Sequence, residues 1–337
     1  MMKFYKIMFL CSLIIGSLIA VSSYSWLSMW IGLEINLLSI IPLLSDSNSL
    51  YPSESALKYF ITQSMASSIL LFSIVTSLNF SDLINSNFNL YSSMIMNSAI
   101  LTKLGAAPFH AWFPEVMEGL NWPNCLLMLT WQKLAPMVIL MYNMNMTFFL
   151  STIIVFSSVV SGILGLNQIS LRKILTYSSI NHIGWMISSM LNSQAVWFVY
   201  FIIYTIISIN IIILFSIMNV FSLKQLFSSF NQNKYLKIFF IMNFLSLGGL
   251  PPFLGFFPKW LTINNLVENN FLSLSVILII STLVTLFFYL RITFSTLVIN
   301  SKETIIKSPQ PKMFLIVMSN FLSLAGLVTC TMVFSMI

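Results

Sequence analysis

Three lysines and one glutamate, Lys103, Lys133, Lys259 and Glu34, lie inside otherwise apolar runs of this 337-residue chain. A charge at the centre of a bilayer costs about 2.5–3.5 kcal/mol on insertion scales, so four of them require a reason. An ammonium taken out of water releases its proton more readily, and a carboxylate drawn close makes it hold on. If Glu34 moves toward or away from Lys103, a conformational signal becomes a proton step. Driving one proton against 100 mV takes about 2.3 kcal/mol, a size that pairing and burial can supply. The chemistry on offer is proton transfer along Glu34, Lys103, Lys133 and Lys259. The other reading of the same charges is that they pair to hold helices together.

Neighbouring residues qualify each candidate. His110 follows Lys103 by seven residues, two turns on if the helix is continuous, and an imidazole can pass protons near neutral pH. His182, in Tyr177-Ser-Ser-Ile-Asn-His182-Ile-Gly, is either a further relay member or a hydrogen-bonded packing residue. Pro136 lies three residues after Lys133 and is expected to loosen the helix there and free carbonyls for water. Lys259 directly follows Pro258, where it either serves the relay or snorkels as an end residue. Glu115 and Glu118, one turn apart, read as a solvated mouth or a subunit contact.

The elements that hold these residues are broken helices. In Leu101–Gly119, LTKLGAAPFHAWFPEVMEG, a Gly and two prolines interrupt an apolar helix beside Lys103. Gly105-x-x-Pro108-Phe109-x-x-x-Phe113-Pro114 then recurs as Gly249-x-x-Pro252-Phe253-x-x-x-Phe257-Pro258, every matched position displaced by 144 residues. Paired Gly/Pro-interrupted hydrophobic segments mark an internal repeat with the transport site at the interruptions. A first half, 1–143, a second half, 148–296, and a last helix, 313–336, follow from that division.

With 58% hydrophobic and 7% charged residues, the chain is far from the roughly 25% charge of a soluble domain. It reads as an all-α polytopic membrane protein. Eleven spans of about 20 mostly apolar residues are expected, near 3–22, 24–44, 56–79, 91–119, 123–143, 148–169, 173–191, 195–220, 237–266, 271–296 and 313–336. The net charge of +7 then becomes an orientation signal. Lys3, Lys6, Lys58, Arg172, Lys173, Lys224, Lys234, Lys237, Arg291, Lys302, Lys307 and Lys312 all fall at ends on one side, and the opposite loops carry no basic residue. The positive-inside rule places the N-terminus inside and the C-terminus outside.

Several classes are disfavoured by what the sequence lacks. There is no GxGxxG following a strand, no Walker A loop and no cysteine cluster, so redox chemistry would belong to partners. Cys11, Cys125 and Cys330 sit in apolar runs and are expected to be small core residues. The basic, apolar N-terminus runs straight into a second apolar segment and is kept as the first span. With no Arg- and Ser-rich leader, an organellar location would mean synthesis within the organelle.

Four stretches in order, TKLGAAPFHAWFPEVMEG, LTWQKLAP, LNQISLRKILTYSSINHIGWM and SLGGLPPFLGFFPKW, resemble the antiporter-like membrane subunits of respiratory complex I. The likeness extends over nearly the whole chain, and the composition, heavy in Ile, Asn, Phe, Met and Ser, resembles insect members. The resemblance implies a mitochondrial inner-membrane subunit that couples quinone reduction elsewhere to proton pumping. Glu34 and Lys103 match the family's acid/lysine pair, Lys133 its central lysine and Lys259 the lysine of the second broken helix. It further implies that NADH, FMN, iron–sulfur clusters and ubiquinone are held by other subunits. The implied partners are other complex I subunits, above all membrane-arm subunits 4 and 4L and accessory subunits, with phospholipids such as cardiolipin and no nucleic acid. Bacterial members have fourteen spans in two inverted five-helix bundles, and eleven resembles the animal form that lacks three N-terminal helices. A stand-alone cation/proton antiporter and a structural connector without its own proton path remain open beside this reading.

Overall fold

Long apolar runs in a bilayer must satisfy their own backbone groups, and the helix is the simplest way to do so. The computed structural model describes residues 4–46, 49–80, 86–230, 234–251, 253–298 and 320. Fourteen α-helices account for most of them, and the β-structure among the described residues is an isolated bridge between Ser170 and Ser222. Ten of the eleven expected apolar segments coincide with helices; the last, 313–336, with Cys330, lies outside the described residues apart from Asn320. The chain forms two compact units, Met1–Ile153 and Ile154–Ile337.

The first unit contains α1 (Phe4–Ser22), α2 (Trp26–Leu44), α3 (Leu50–Phe80), α4 (Ser86–Leu104), α5 (Trp112–Gly119), α6 (Trp122–Leu129) and α7 (Trp131–Met141). Both α3 and α4 start earlier than expected, at 50 and 86 rather than 56 and 91, because the polar residues that suggested loops are carried on the first turns. The tightest packing is between α1 and α2. A Cβ on Gly32 would stand 2.5 Å from the Ala20 nitrogen, and one on Gly16 2.9 Å from that of Asn36. Lipid gives helices no hydrophobic reason to associate, so close backbone approach through small residues does that work.

The second unit takes in the end of α8 (Thr147–Gly165), then α9 (Leu171–Met190), α10 (Gln194–Met218), α11 (Leu223–Phe230), α12 (Lys234–Gly248), α13 (Phe256–Glu268) and α14 (Leu272–Val298). Helix α9 is its centre: 18 of its 20 residues are buried, Ser178, Ser179, Asn181, His182, Ser188 and Ser189 among them. Helices α10, α13 and α14 pack around it. A membrane helix this polar is tolerated only when protein, not lipid, surrounds it. Seven of the described helical segments are long and apolar enough to cross a membrane by length and composition. Polar α4 and α9, and α12 cut short by its interruption, fall below that mark for the reasons that make them interesting.

The expected loop after α10 contains an unanticipated helix, α11. Leu223, Leu226, Phe227 and Phe230 recur at i, i+3, i+4 and i+7, a signal of an amphipathic helix too short to be a span. Leu226 is fully buried, and the Gln225 side chain accepts from the Phe221 and Ser222 amides at the helix start. Gly32→Val is expected to force α1 and α2 apart at a cost of about 1–3 kcal/mol. Reduced yield of the assembled protein on a native gel, with a lower midpoint of thermal inactivation, is the check.

Candidate proton-transfer site

Both interruptions are built on the same backbone device. Gly105 and Gly249 have φ of +75° and +79°, a region that L side chains rarely adopt. At the first, the Gly105 amide donates to Thr102 and Leu101 carbonyls at 3.2 and 3.0 Å, and the Ala106 amide to Leu101 at 3.1 Å. At the second, Gly249 donates to Ser246 at 3.0 Å and Leu250 to Leu245 at 3.3 Å. These are Schellman caps at positions 144 apart, each closing a helix with a left-handed glycine. The repeat read from the sequence is therefore a repeat of hydrogen bonds. Pro252, one of its matched positions, lies outside the described residues.

Further carbonyls at these helix ends take side-chain donors, and here the two breaks diverge. In the first unit the Trp112 indole donates to Thr102 O at 3.0 Å and the Gln63 amide to Lys103 O at 3.5 Å. In the second, the Lys259 ammonium itself donates to Gly248 O at 2.8 Å and Leu247 O at 3.3 Å. Lys259 is buried, with its ammonium 6.0 Å from the Trp185 ring centre, so it does not snorkel to an interface. The position 144 residues before Lys259 is Glu115, and the one 144 after Lys103 is Leu247. One break carries its lysine before the glycine, the other after it.

Lys133 is the most deeply buried of the three lysines, 2% exposed, with its ammonium 5.8 Å from the Phe113 ring centre. The helix around it is interrupted, but not where Pro136 suggests. Helix α7 runs through Pro136, and the discontinuity is upstream at Thr130, between α6 and α7. A proline ring crowds the preceding turn, and the Thr130 hydroxyl competes with the backbone by donating to Leu126 O at 2.7 Å. Lys133 thus sits between a break and a proline. Its neighbour Gln132 donates to Asn36 on α2 at 2.7 Å and accepts from Tyr59 on α3 at 3.4 Å.

Glu34 is half-buried on α2, and Lys103 is buried in the last turn of α4. The two make no contact ion pair; the ion pairs among the described residues join Lys58 to Glu54 at 3.1 Å and to Glu115 at 3.3 Å on an exposed face. Glu115 therefore latches α5 to α3, and Glu118 is exposed beside it. His110 is not stacked two turns above Lys103, because α4 ends at Leu104; its Nδ1 lies 3.2 Å from Pro108 O within the connecting segment. His182 is buried on α9, its Nδ1 2.9 Å from the Tyr200 hydroxyl and its ring against Tyr204. Sequence reasoning missed Gln63, Trp112 and Trp185. Each is a lone polar or aromatic residue whose value lies in what it faces.

The NADH:quinone oxidoreductase/Mrp antiporter transmembrane family matches residues 23–285. The chain belongs to that family. It is 46% identical to NADH-ubiquinone oxidoreductase chain 2 of Anopheles gambiae and 47% to that of Aedes aegypti, in each case over 99% of both chains. Among solved structures, a chain of respiratory complex I from Thermus thermophilus with bound aureothin superposes with a TM-score of 0.86 at 23% identity, covering 97% of this chain and 79% of that one. Fold and family agree with the resemblance read from the four stretches, and the chain is a multi-pass membrane protein.

Within this family fold the two glycines are not equivalent. A Cβ on Gly249 would lie 2.7 Å from Lys259 Cδ, whereas one on Gly105 meets nothing nearer than Phe113 at 3.2 Å. Gly105→Ala is expected to cost about 1–2 kcal/mol for its backbone alone. Gly249→Ala adds overlap with the far end of the Lys259 side chain, which swings away and gives up its carbonyl bonds, at about 1.5–3 kcal/mol more. Limited proteolysis near each break, run on both variants, should show the larger opening at the second.

Proposed function

We propose that the chain is a core membrane-arm subunit of the proton-pumping NADH:ubiquinone oxidoreductase of the mitochondrial inner membrane, with Glu34, Lys103, Lys133 and Lys259 as its proton relay. The observation that carries the proposal is that three lysines are buried in an apolar protein, each within one turn of a helix interruption. At a break, carbonyls and water replace hydrocarbon as the surroundings of a charge, and an ammonium there can be refilled or emptied. Glu34, half-buried on α2, would govern the Lys103 proton by moving toward or away from it. His182, hydrogen-bonded to Tyr200, and His110, in the first break, are auxiliary stations.

The relay runs through two pseudo-symmetric halves in inverted orientation, 1–143 and 148–296, with 313–336 as a closing helix. The twelve-to-none distribution of basic residues supports a matrix-side N-terminus and a C-terminus in the intermembrane space. Electron transfer from NADH through FMN and iron–sulfur clusters to ubiquinone belongs to other subunits and reaches this chain as a conformational or electrostatic signal. Its neighbours are other complex I subunits, subunits 4 and 4L and accessory subunits among them. Phospholipids such as cardiolipin face its basic side, and nucleic acid is not a partner. Nearly full-length likeness to chain 2 of two insects argues against a stand-alone antiporter. The bonds from Lys259 to Gly248 and Leu247 favour a capping role for that residue alongside its relay role.

Lys133→Met preserves length and packing while removing the titrating group. In inner-membrane vesicles with assembly verified by native gel, coupled turnover and proton delivery are expected to fall together by an order of magnitude or more, as for loss of a positioned proton donor. Unchanged pumping in assembled complex would place the path elsewhere and leave these charges as helix glue.

A further inference from the structure

Two helices of the second unit, α8 and α14, part along a groove of about 280 Å³. Its floor is made of small residues, Ser158 and Gly162 on α8 and Ser281 on α14, all buried. Val159, Ile163, Ile277, Ile280 and Val284 form its sides, and all but Val284 are exposed. The Ser158 and Ser281 hydroxyls donate to the Val155 and Leu278 carbonyls, each at 2.9 Å. With those donors met on their own helices, the groove suits a hydrocarbon chain rather than water. A helix, about 10–12 Å across with its side chains, is too wide to enter it.

Toward the C-terminal ends of α8 and α14 the groove closes, since a Cβ on Gly165 would stand 3.0 Å from the Phe288 ring. Arg291 lies just past that closure. It follows Ile277 and Val284 at seven-residue intervals, on the same face of α14 and about 10 Å beyond Val284. Its Nη1 donates to Leu166 O, one residue past α8, at 3.3 Å, and the side chain is exposed. A guanidinium carries five N–H donors in a planar fork that matches phosphate oxygens. The bond to Leu166 fixes the fork at the end of the groove and leaves donors to offer an anion.

Charge at this end of the unit has one sign. Arg172, Lys173, Lys224 and Lys237 share the inner side with Arg291. From residue 154 on the chain has two acids: Glu303, outside the described residues, and Glu268, which ends α13 on the other side in the orientation proposed above. The first unit offers a contrast in a groove of about 470 Å³ along Ile41, Leu57 and Phe60. Lys58, next to Leu57, is already met there by the carboxylates of Glu54 and Glu115. Room for a chain occurs in both units, but a cation free of carboxylates stands beside the groove of the second.

We propose that the groove between α8 and α14 is a binding site for an anionic phospholipid, with an acyl chain in the groove and the phosphate on the Arg291 guanidinium. The inference rests on the orientation proposed above and gives the phospholipid partner a place on the chain. It does not depend on the relay.

The test uses the assembled complex in lipid nanodiscs with photoactivatable phosphatidylglycerol or phosphatidylcholine, each carrying a diazirine in the same acyl chain. Crosslinked peptides are read by mass spectrometry. Phosphatidylglycerol is expected to label 158–163 and 277–284 about fivefold more than phosphatidylcholine, the discrimination that one basic side chain gives an anionic headgroup. Arg291→Gln should abolish that preference, and Arg291→Lys should keep most of it. Gly162→Leu, whose side chain fills the floor, should remove labelling by both probes; Ser158→Leu stands in should that variant not assemble. Equal labelling by the two probes, a preference that survives Arg291→Gln, or labelling that survives Gly162→Leu would each overturn the site. So would absence of lipid labelling there in the unaltered complex, the result if a neighbouring subunit covers the groove. Proton delivery in Lys133→Met is a separate readout, so a failure here is distinguishable from a failure of the relay.

Discussion

An amide or carbonyl left without a partner in hydrocarbon costs several kcal/mol, and that constraint organises this protein. An unbroken helix meets it at no expense, which is why most of the chain is plain helix. At Gly105 and Gly249 the chain gives up that solution and must find other donors for the carbonyls at the helix ends. It finds them in a left-handed glycine cap at both sites, then in Trp112 and Gln63 at one and in Lys259 at the other. A break that has recruited polar groups is also a place where a buried charge can live. The proposed relay rests on that solution to the backbone problem.

The two breaks thus share a left-handed glycine cap and differ in where the charge sits. Gly255 lets the start of α13 lie against α12, since a Cβ there would overlap the Ser246 carbonyl; the matching position in the first break is Ala111. In the first break the lysine sits on the helix that ends; in the second it sits on the helix that begins and caps the other. Lys259 thus bridges the end of α12 and the start of α13, whereas Lys103 stands in the last turn of α4.

Much of this was legible in the sequence because the signals were chemical rather than positional. Lysines in apolar runs, and a Gly-x-x-Pro-Phe pattern repeated at fixed spacing, point to broken helices with charges whatever the packing. Exceptions arise where geometry depends on a partner. Pro136 announces a distortion, but Thr130, six residues earlier, is where the helix gives way. The spacing of His110 from Lys103 means nothing once the helix between them ends. Gln63 is one glutamine on a long apolar helix until Lys103 O is known to face it. The amphipathic spacing of α11 was present but shorter than a span, and span-counting passes over it.

Whether the buried lysines move protons or merely supply fixed charge is the central question, and Lys103→Arg separates the two. Arginine keeps the positive charge and the attraction to Glu34 but does not deprotonate in a protein. The measurement is the ratio of protons delivered to electrons transferred in vesicles holding fully assembled Lys103→Arg complex, beside the unaltered complex. If Lys103 is a proton station, that ratio or coupled turnover drops although charge and assembly are intact. Full retention of both would contradict the account and show that a fixed positive charge at the end of α4 is sufficient.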